Sequence, residues 1–311
     1  MKLLANKKHR LPIVLALAAV YLFWGSSYLG IRIAIETWPP FLMAGCRFFG
    51  TGLILYIWEC RRGVPKLAAG QWREATITGV LLMVIGSGGV VYAAKWVPSG
   101  MIALLLSLTP VWMVLLDWCW GNRIRPRKRV FCGLALGFLG AGLLVMPGKF
   151  AGGEHVNLFG AVILWVASIG WAFGSLHVRR SPLPVRQILA TGMQMMVGGG
   201  VLLGIAAVTG ELNQLGTIHF SLRSTMAMVY LMLFSTLITF CSYAYLLRMT
   251  SMAVASTYSY VCPLIAVVLG VMLGGEHLAL RMAVAGIASL AGVAVIILSP
   301  VPRSVDPIEP V

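Results

Sequence analysis

Apolar residues run through this chain in stretches of about 20, the length that carries a helix across a bilayer, with short polar or basic turns between them. Ten stretches can be drawn: Leu11–Ile35, Pro40–Trp58, Glu74–Ala94, Val97–Trp118, Val130–Met146, Leu158–Val178, Val185–Val208, Thr225–Leu247, Met252–Leu273 and Met282–Leu298. The turns at Trp96–Ser99 and Arg248–Ser251 are the shortest. The pattern predicts an all-α polytopic membrane protein with ten transmembrane helices.

Composition agrees. The chain is 59% hydrophobic and 11% charged, with mean hydropathy +0.90. No soluble fold has enough core to hide that much apolar side chain. The net charge of +15 points to topology and not to nucleic acid. With the N-terminus inside, eighteen basic residues fall on cytoplasmic segments, among them Lys7, Lys8, Arg61, Arg62, Arg123, Arg125, Arg127, Lys128, Arg129, Arg179 and Arg180. Six fall on the outer side or outer halves of helices: Arg32, Arg47, Lys95, Lys149, Arg223 and Arg281. That bias places both termini in the cytoplasm. The run after Lys7-Lys8-His9-Arg10 is too long for a signal peptide and reads as an uncleaved first helix. The six cysteines (Cys46, Cys60, Cys119, Cys132, Cys241 and Cys262) lie in or beside apolar stretches without a Cys-x-x-Cys pair. They predict neither a metal site nor a disulfide framework, and no cofactor is expected.

The chain also repeats itself weakly. Tyr92, Lys95 and Pro110 are matched 153 residues later by Tyr245, Arg248 and Pro263, as Gly133 is by Gly286. Trp24-Gly25-Ser26 is echoed by Phe173-Gly174-Ser175. Five spans per half is an odd number, so the second half must be inverted. The loop Gly121–Arg129 is strongly basic, whereas its counterpart Gly274–Arg281 contains Glu276 and His277, as opposite sidedness requires. The expected organisation is a first five-helix repeat over 1–153, a second, inverted one over 154–300, and a cytoplasmic tail over 301–311.

The order Trp24-Gly25-Ser26-Ser27-Tyr28, Pro39-Pro40 with Arg47-Phe48, Ser107-Leu108-Thr109-Pro110, Tyr260-Val261-Cys262-Pro263 and Leu273-Gly274-Gly275-Glu276 resembles the drug/metabolite transporter superfamily, specifically its EamA-type ten-helix members. The resemblance spans about residues 11–300. It implies an alternating-access carrier in the cell (inner) membrane, often an exporter of amino acids or other small metabolites. One departure stands out: where the second half has Gly275-Glu276, the first has Asn122-Arg123.

Arg47 is the sharpest candidate for chemistry. It lies about seven residues into the second stretch, roughly 10 Å below its outer end. A charge at that depth must face the protein interior and find a partner. Either its guanidinium holds a substrate carboxylate in bidentate fashion, or it forms an ion pair with Glu36; Arg32 and Glu36, one turn apart, form a competing pair. Gln194 takes the position of Arg47 in the second half when Gly45 is matched to Gly192, and an interhelical hydrogen bond is the alternative to substrate contact there. Trp24, Tyr28, Tyr92, Trp165, Tyr245 and Tyr258 are expected to wall a cavity between the repeats; Trp112 and Trp171 are further mid-helix aromatics. Pro110 and Pro263, symmetrically placed, are expected hinges or static kinks. Gly133, Gly137, Gly286 and Gly292 mark close-packed faces, within the protomer or at a homodimer seam.

None of the nine acids lies at mid-membrane, so there is no counter-ion for a lone cation and no acid relay for protons. The expected partners are a small organic solute and the lipid bilayer, with the chain a monomer or homodimer. The leading reading is a secondary carrier, an amino-acid exporter with aromatic amino acids among the candidates. A nucleoside, sugar or drug carrier of the same fold competes with it. An integral-membrane transferase would need acids, histidines or cysteines clustered at one membrane face, and the sequence shows none beyond Glu276-His277.

Overall fold

The computed structural model describes residues 7–64, 67–120, 128–145, 157–178, 181, 186–216, 218–250, 254, 257–276 and 280–297. Every regular element among them is helical: α1 Lys7–Ala34, α2 Pro40–Arg61, α3 Ala69–Ala93, α4 Ser99–Leu106, α5 Thr109–Trp120, α6 Lys128–Val145, α7 Leu158–Val178, α8 Gln187–Val208, α9 222–249, α10 Tyr258–Leu273 and α11 Leu280–Ile297, with one 3₁₀ turn at Leu212–Gln214. Six of these, α1, α2, α3, α7, α8 and α9, are long and apolar enough to cross a membrane. Shorter apolar helices occupy the other four expected stretches. Large apolar side chains such as Leu139, Leu222 and Met272 lie on the outside, a surface suited to lipid. The basic loop at 121–127 with Asn122-Arg123, the junction at 146–156 and the tail at 301–311 lie outside the described residues.

The stretch Val97–Trp118 departs from expectation: it is two helices, α4 and α5, parted at Ser107–Leu108. Pro110 has no N–H to give and its ring crowds the carbonyl one turn back, so the chain leaves the helix just before it. Local hydroxyls take up the loosened carbonyls. Ser107 Oγ donates to Leu104 O at 2.6 Å and Thr109 Oγ1 to Leu106 O at 2.6 Å. Pro263, by contrast, sits inside the continuous helix α10. The two prolines are equivalent in sequence and different in effect.

Two helix pairs form the close-packed seams. Along α2 and α8, Gly45 and Gly52 face α8 while Gly192 and Gly199 face α2. A methyl on Gly52 would stand 2.5 Å from Met196 N, and one on Gly199 would stand 2.7 Å from Phe49 Cα. Backbones this near gain dispersion that bulkier residues would forbid, the usual source of helix association in lipid. Carboxylates fasten both ends of the pair. Glu211, past the end of α8, accepts from Leu42 N in the first turn of α2 at 2.8 Å. Glu59, buried at the other end of α2, pairs with Arg186 at the start of α8 (3.6 Å) and with Arg62 (3.8 Å). The second seam joins α6 to α11, where Gly292 lies against the backbone of Gly133 and Gly137 and Gly140 against Ser289. The glycine faces marked in the sequence therefore pack within the protomer.

The third helix of each half carries the same irregularity. Val80–Gly88 in α3 and Leu231–Ile238 in α9 are wound as π-helix. Such stretches are uncommon and recur at functional sites because the wider turn re-aims side chains. In α9, Thr236 Oγ1 donates to Leu231 O (2.9 Å) and Thr239 Oγ1 to Phe234 O (2.8 Å), five residues back in each case.

Candidate functional site

The π-helical stretch of α3 and the break between α4 and α5 border one cavity, which the π-helical stretch of α9 reaches through Arg47. Its lining comes from α1 (Trp24, Ser27, Tyr28, Ile31), α2 (Arg47), α3 (Gly86, Ser87, Val90), the α4–α5 break (Leu106, Thr109), α7 (Ala167, Trp171), α9 (Phe240) and α10 (Tyr258). The α1 contributors follow helical spacing, so one face of that helix supplies them all. The cavity holds about 90 Å³.

Among the described residues Arg47 is its only charged lining residue, and it is 4% exposed. Its Nε donates to Thr236 Oγ1 and its Nη2 to Ser235 Oγ at 3.1 Å. The π turn of α9 brings these two consecutive hydroxyls to one guanidinium. Arg47 also stands 4.9 Å from the Phe48 ring centroid. Among the described residues no carboxylate lies within ion-pair distance of it. The expected pairing with Glu36 is not formed: Glu36 pairs with Arg223 at 3.5 Å on the exposed surface, and Arg32 turns to Glu276 at 3.4 Å, so the Arg32–Glu36 pair is absent too. The guanidinium is thus buried with two neutral acceptors and, among the described residues, no countercharge, an arrangement that an anion would complete.

Much of the remaining wall is aromatic. Trp24 meets Trp171 (5.5 Å, 83°), Phe240 (5.5 Å, 81°), Tyr243 (4.9 Å) and Tyr258 (5.0 Å, 75°), mostly edge to face. Such contacts fix ring orientation. Trp24 and Trp171 are 147 residues apart, the spacing that also relates Gly45 to Gly192, Gly52 to Gly199 and the helix-ending Gly63 to Gly210, both at positive φ. Equivalent residues of the two halves therefore touch at the cavity. The sequence echo with Phe173 had missed this register by two residues.

Of the residues expected at a substrate site, Trp24, Tyr28, Arg47 and Tyr258 line the cavity and Tyr92, Trp165, Gln194 and Tyr245 do not. Tyr92 stacks on Phe41 (4.9 Å, 18°) with Lys95 Nζ 5.0 Å from its ring, in a cluster with Trp96 at the end of α3. Gln194 is buried in α8, whose backbone at that point lies against Gly79 of α3. Sequence reasoning missed Ser27 and Ile31, which the helical spacing from Trp24 would have found, and Ser235-Thr236, a polar pair in an apolar run. Ser87, Leu106 and Thr109 carried no such signal. Thr109 reaches Ser168 of α7 at 2.9 Å.

At the far end of α3 the structure assembles a cluster that the sequence did not reveal. His177 Nε2 lies 2.7 Å from Glu74 Oε2, and Ser181 Oγ donates to the same oxygen at 3.0 Å. The arrangement ties the start of α3 to the end of α7.

The sequence pattern of the EamA-like transporter family matches this chain twice, over residues 11–146 and 158–298. A protein named "Uncharacterized inner membrane transporter YedA" from Escherichia coli (strain K12) is 38% identical over 269 residues, covering 86% of this chain and 85% of its own length. A protein named "Uncharacterized transporter" from Archaeoglobus fulgidus is 23% identical over 283 residues, covering 90% and 95%. One solved crystal structure superposes over 91% of this chain and 95% of its own, with TM-score 0.62 at 19% identity, which marks a shared fold. The chain belongs to the EamA-like transporter family.

Proposed function

We propose that this member of the EamA-like transporter family is an alternating-access exporter of small neutral amino acids in the inner membrane. It is built of two inverted five-helix repeats with both termini in the cytoplasm. The observation that carries the substrate class is Arg47: a buried cation lining the cavity with two hydroxyls and no carboxylate. A substrate carboxylate supplies the missing charge in bidentate geometry. The ammonium end then meets the rings of Trp24, Trp171 and Tyr258, whose faces attract a cation without an acid. At about 90 Å³ the cavity is smaller than the roughly 150 Å³ that takes up a benzene ring, which favours small amino acids over aromatic ones.

The repeat architecture is supported by the double family match and by the touching of equivalent tryptophans. Orientation is supported by the eighteen-to-six partition of basic residues. Outward direction rests on the family resemblance.

The test is counterflow in proteoliposomes with alanine, threonine, phenylalanine and a neutral sugar. Saturable exchange of alanine or threonine that Arg47→Gln abolishes is the expected result. Sugar exchange that survives Arg47→Gln would refute the carboxylate role and the amino-acid class together.

A further inference from the structure

Beyond the cavity's last α1 residue, Ile31, the next side chain, Arg32, reaches a group that the transport reading does not use. Glu276, past the end of α10, lays its carboxylate on the first turn of α4. Its Oε1 accepts from Ser99 N (2.7 Å), Ser99 Oγ (2.7 Å) and Arg32 Nη1 (3.4 Å), and its Oε2 accepts from Gly100 N (3.1 Å). Its side chain is only 8% exposed. Gly270 makes the room, since a methyl there would stand 2.5 Å from Oε2, and Gly275 at φ +64° turns the chain to deliver the residue. A carboxylate here satisfies orphan N–H groups and meets the positive end of the helix dipole. It is the α4 helix cap, supplied by the other half of the molecule.

The capped helix is itself a lever. Its first residue, Ser99, is held by Glu276; its last, Leu106, lines the cavity; beyond it lies the break at Ser107–Leu108. Eight residues make a rod of about 12 Å. We infer that Glu276, with Arg32, Ser99 and Gly100, is a latch that shuts the outer mouth of the cavity, and that α4 swings about Ser107–Leu108 when it opens. The latch is one-sided. At the repeat spacing of 153 residues the position equivalent to Glu276 is Arg123, so this carboxylate cap has no sequence counterpart in the first half. Without substrate the carrier rests closed to the outside and open to the cytoplasm, the state in which an exporter loads.

This goes beyond the substrate reading, and only the assignment of inside and outside rests on it. The test uses a chain with its six cysteines replaced by alanine and Ser87→Cys as a cavity reporter, labelled by a membrane-impermeant maleimide in right-side-out and inside-out vesicles. Glu276→Gln is expected to raise the labelling rate from the outer face about tenfold or more, the range for losing hydrogen bonds to a charged group, and to lower it from the inner face. Gly270→Ala, which displaces the carboxylate while keeping its charge, shifts both rates the same way. Ser99→Ala, which removes one donor, shifts them less and decides the matter if Glu276→Gln does not fold. Unchanged rates from both faces in the folded variants would overturn the latch. Acceleration confined to the cytoplasmic face would uphold the latch and overturn the proposed orientation instead.

Discussion

Arg47→Gln separates a substrate ligand from a structural residue because it moves binding and stability in different directions. On insertion scales a buried arginine costs about 2.5–3.5 kcal/mol. Its two hydrogen bonds, to Thr236 and Ser235, return about 1.5–3 kcal/mol each as bonds to a charged group. Glutamine removes the charge penalty and keeps an amide that reaches one of the two hydroxyls. The loss of one such bond against the relief of the penalty leaves the ligand-free protein about as stable as the parent, or up to about 2 kcal/mol more stable. The carboxylate loses its charged partner, which costs about 1.5–3 kcal/mol, or roughly 10- to 150-fold in affinity. A thermal-shift titration in detergent reads both quantities: the midpoint without ligand, and its rise with alanine or threonine, which follows RT ln(1 + [L]/Kd). The reasoning predicts an unchanged or raised ligand-free midpoint and a ligand response displaced to at least tenfold higher concentration. A lowered midpoint with an unchanged response would refute it and make Arg47 a structural residue.

The seam between α2 and α8 gives a stability prediction with its own control. Gly199→Ala, whose methyl meets the Phe49 backbone, should cost about 2 kcal/mol or more, whereas Gly204→Ala, with nothing within 4 Å, should leave the midpoint unchanged or raised; equal midpoints would show that the seam relaxes freely. The two prolines should differ in proteoliposome flux. Pro110→Ala permits a continuous helix through Ser107–Leu108 and is expected to slow transport severalfold, while Pro263→Ala, in an already continuous helix, should change it little; equal effects would refute the link between break and hinge.

The sequence by itself determined the membrane class and nearly every helix, because lipid demands long apolar stretches and punishes charge within them. It determined that Arg47 must face inward, and that the glycines along α6 and α11 mark close contacts; the glycine seam between α2 and α8 emerged only in the structure. It did not determine who meets whom. Glu36 and the Ser235-Thr236 pair were both available to Arg47, and the choice fell to helix rotation and to the π turn in α9. Hydropathy carries little record of rotation in a helix that is apolar on every face. Nor does it show the turn-widening that brings two consecutive hydroxyls to one guanidinium. The same holds for the aromatics: composition put Tyr92, Trp165 and Tyr245 beside Trp24 and Tyr258 as equals, and only packing turned some rings to the cavity and others to their neighbours. Glu276 was visible as a loop acid; that it caps a helix of the other half depended on bringing two ends together across 177 residues of chain, a contact no local pattern encodes.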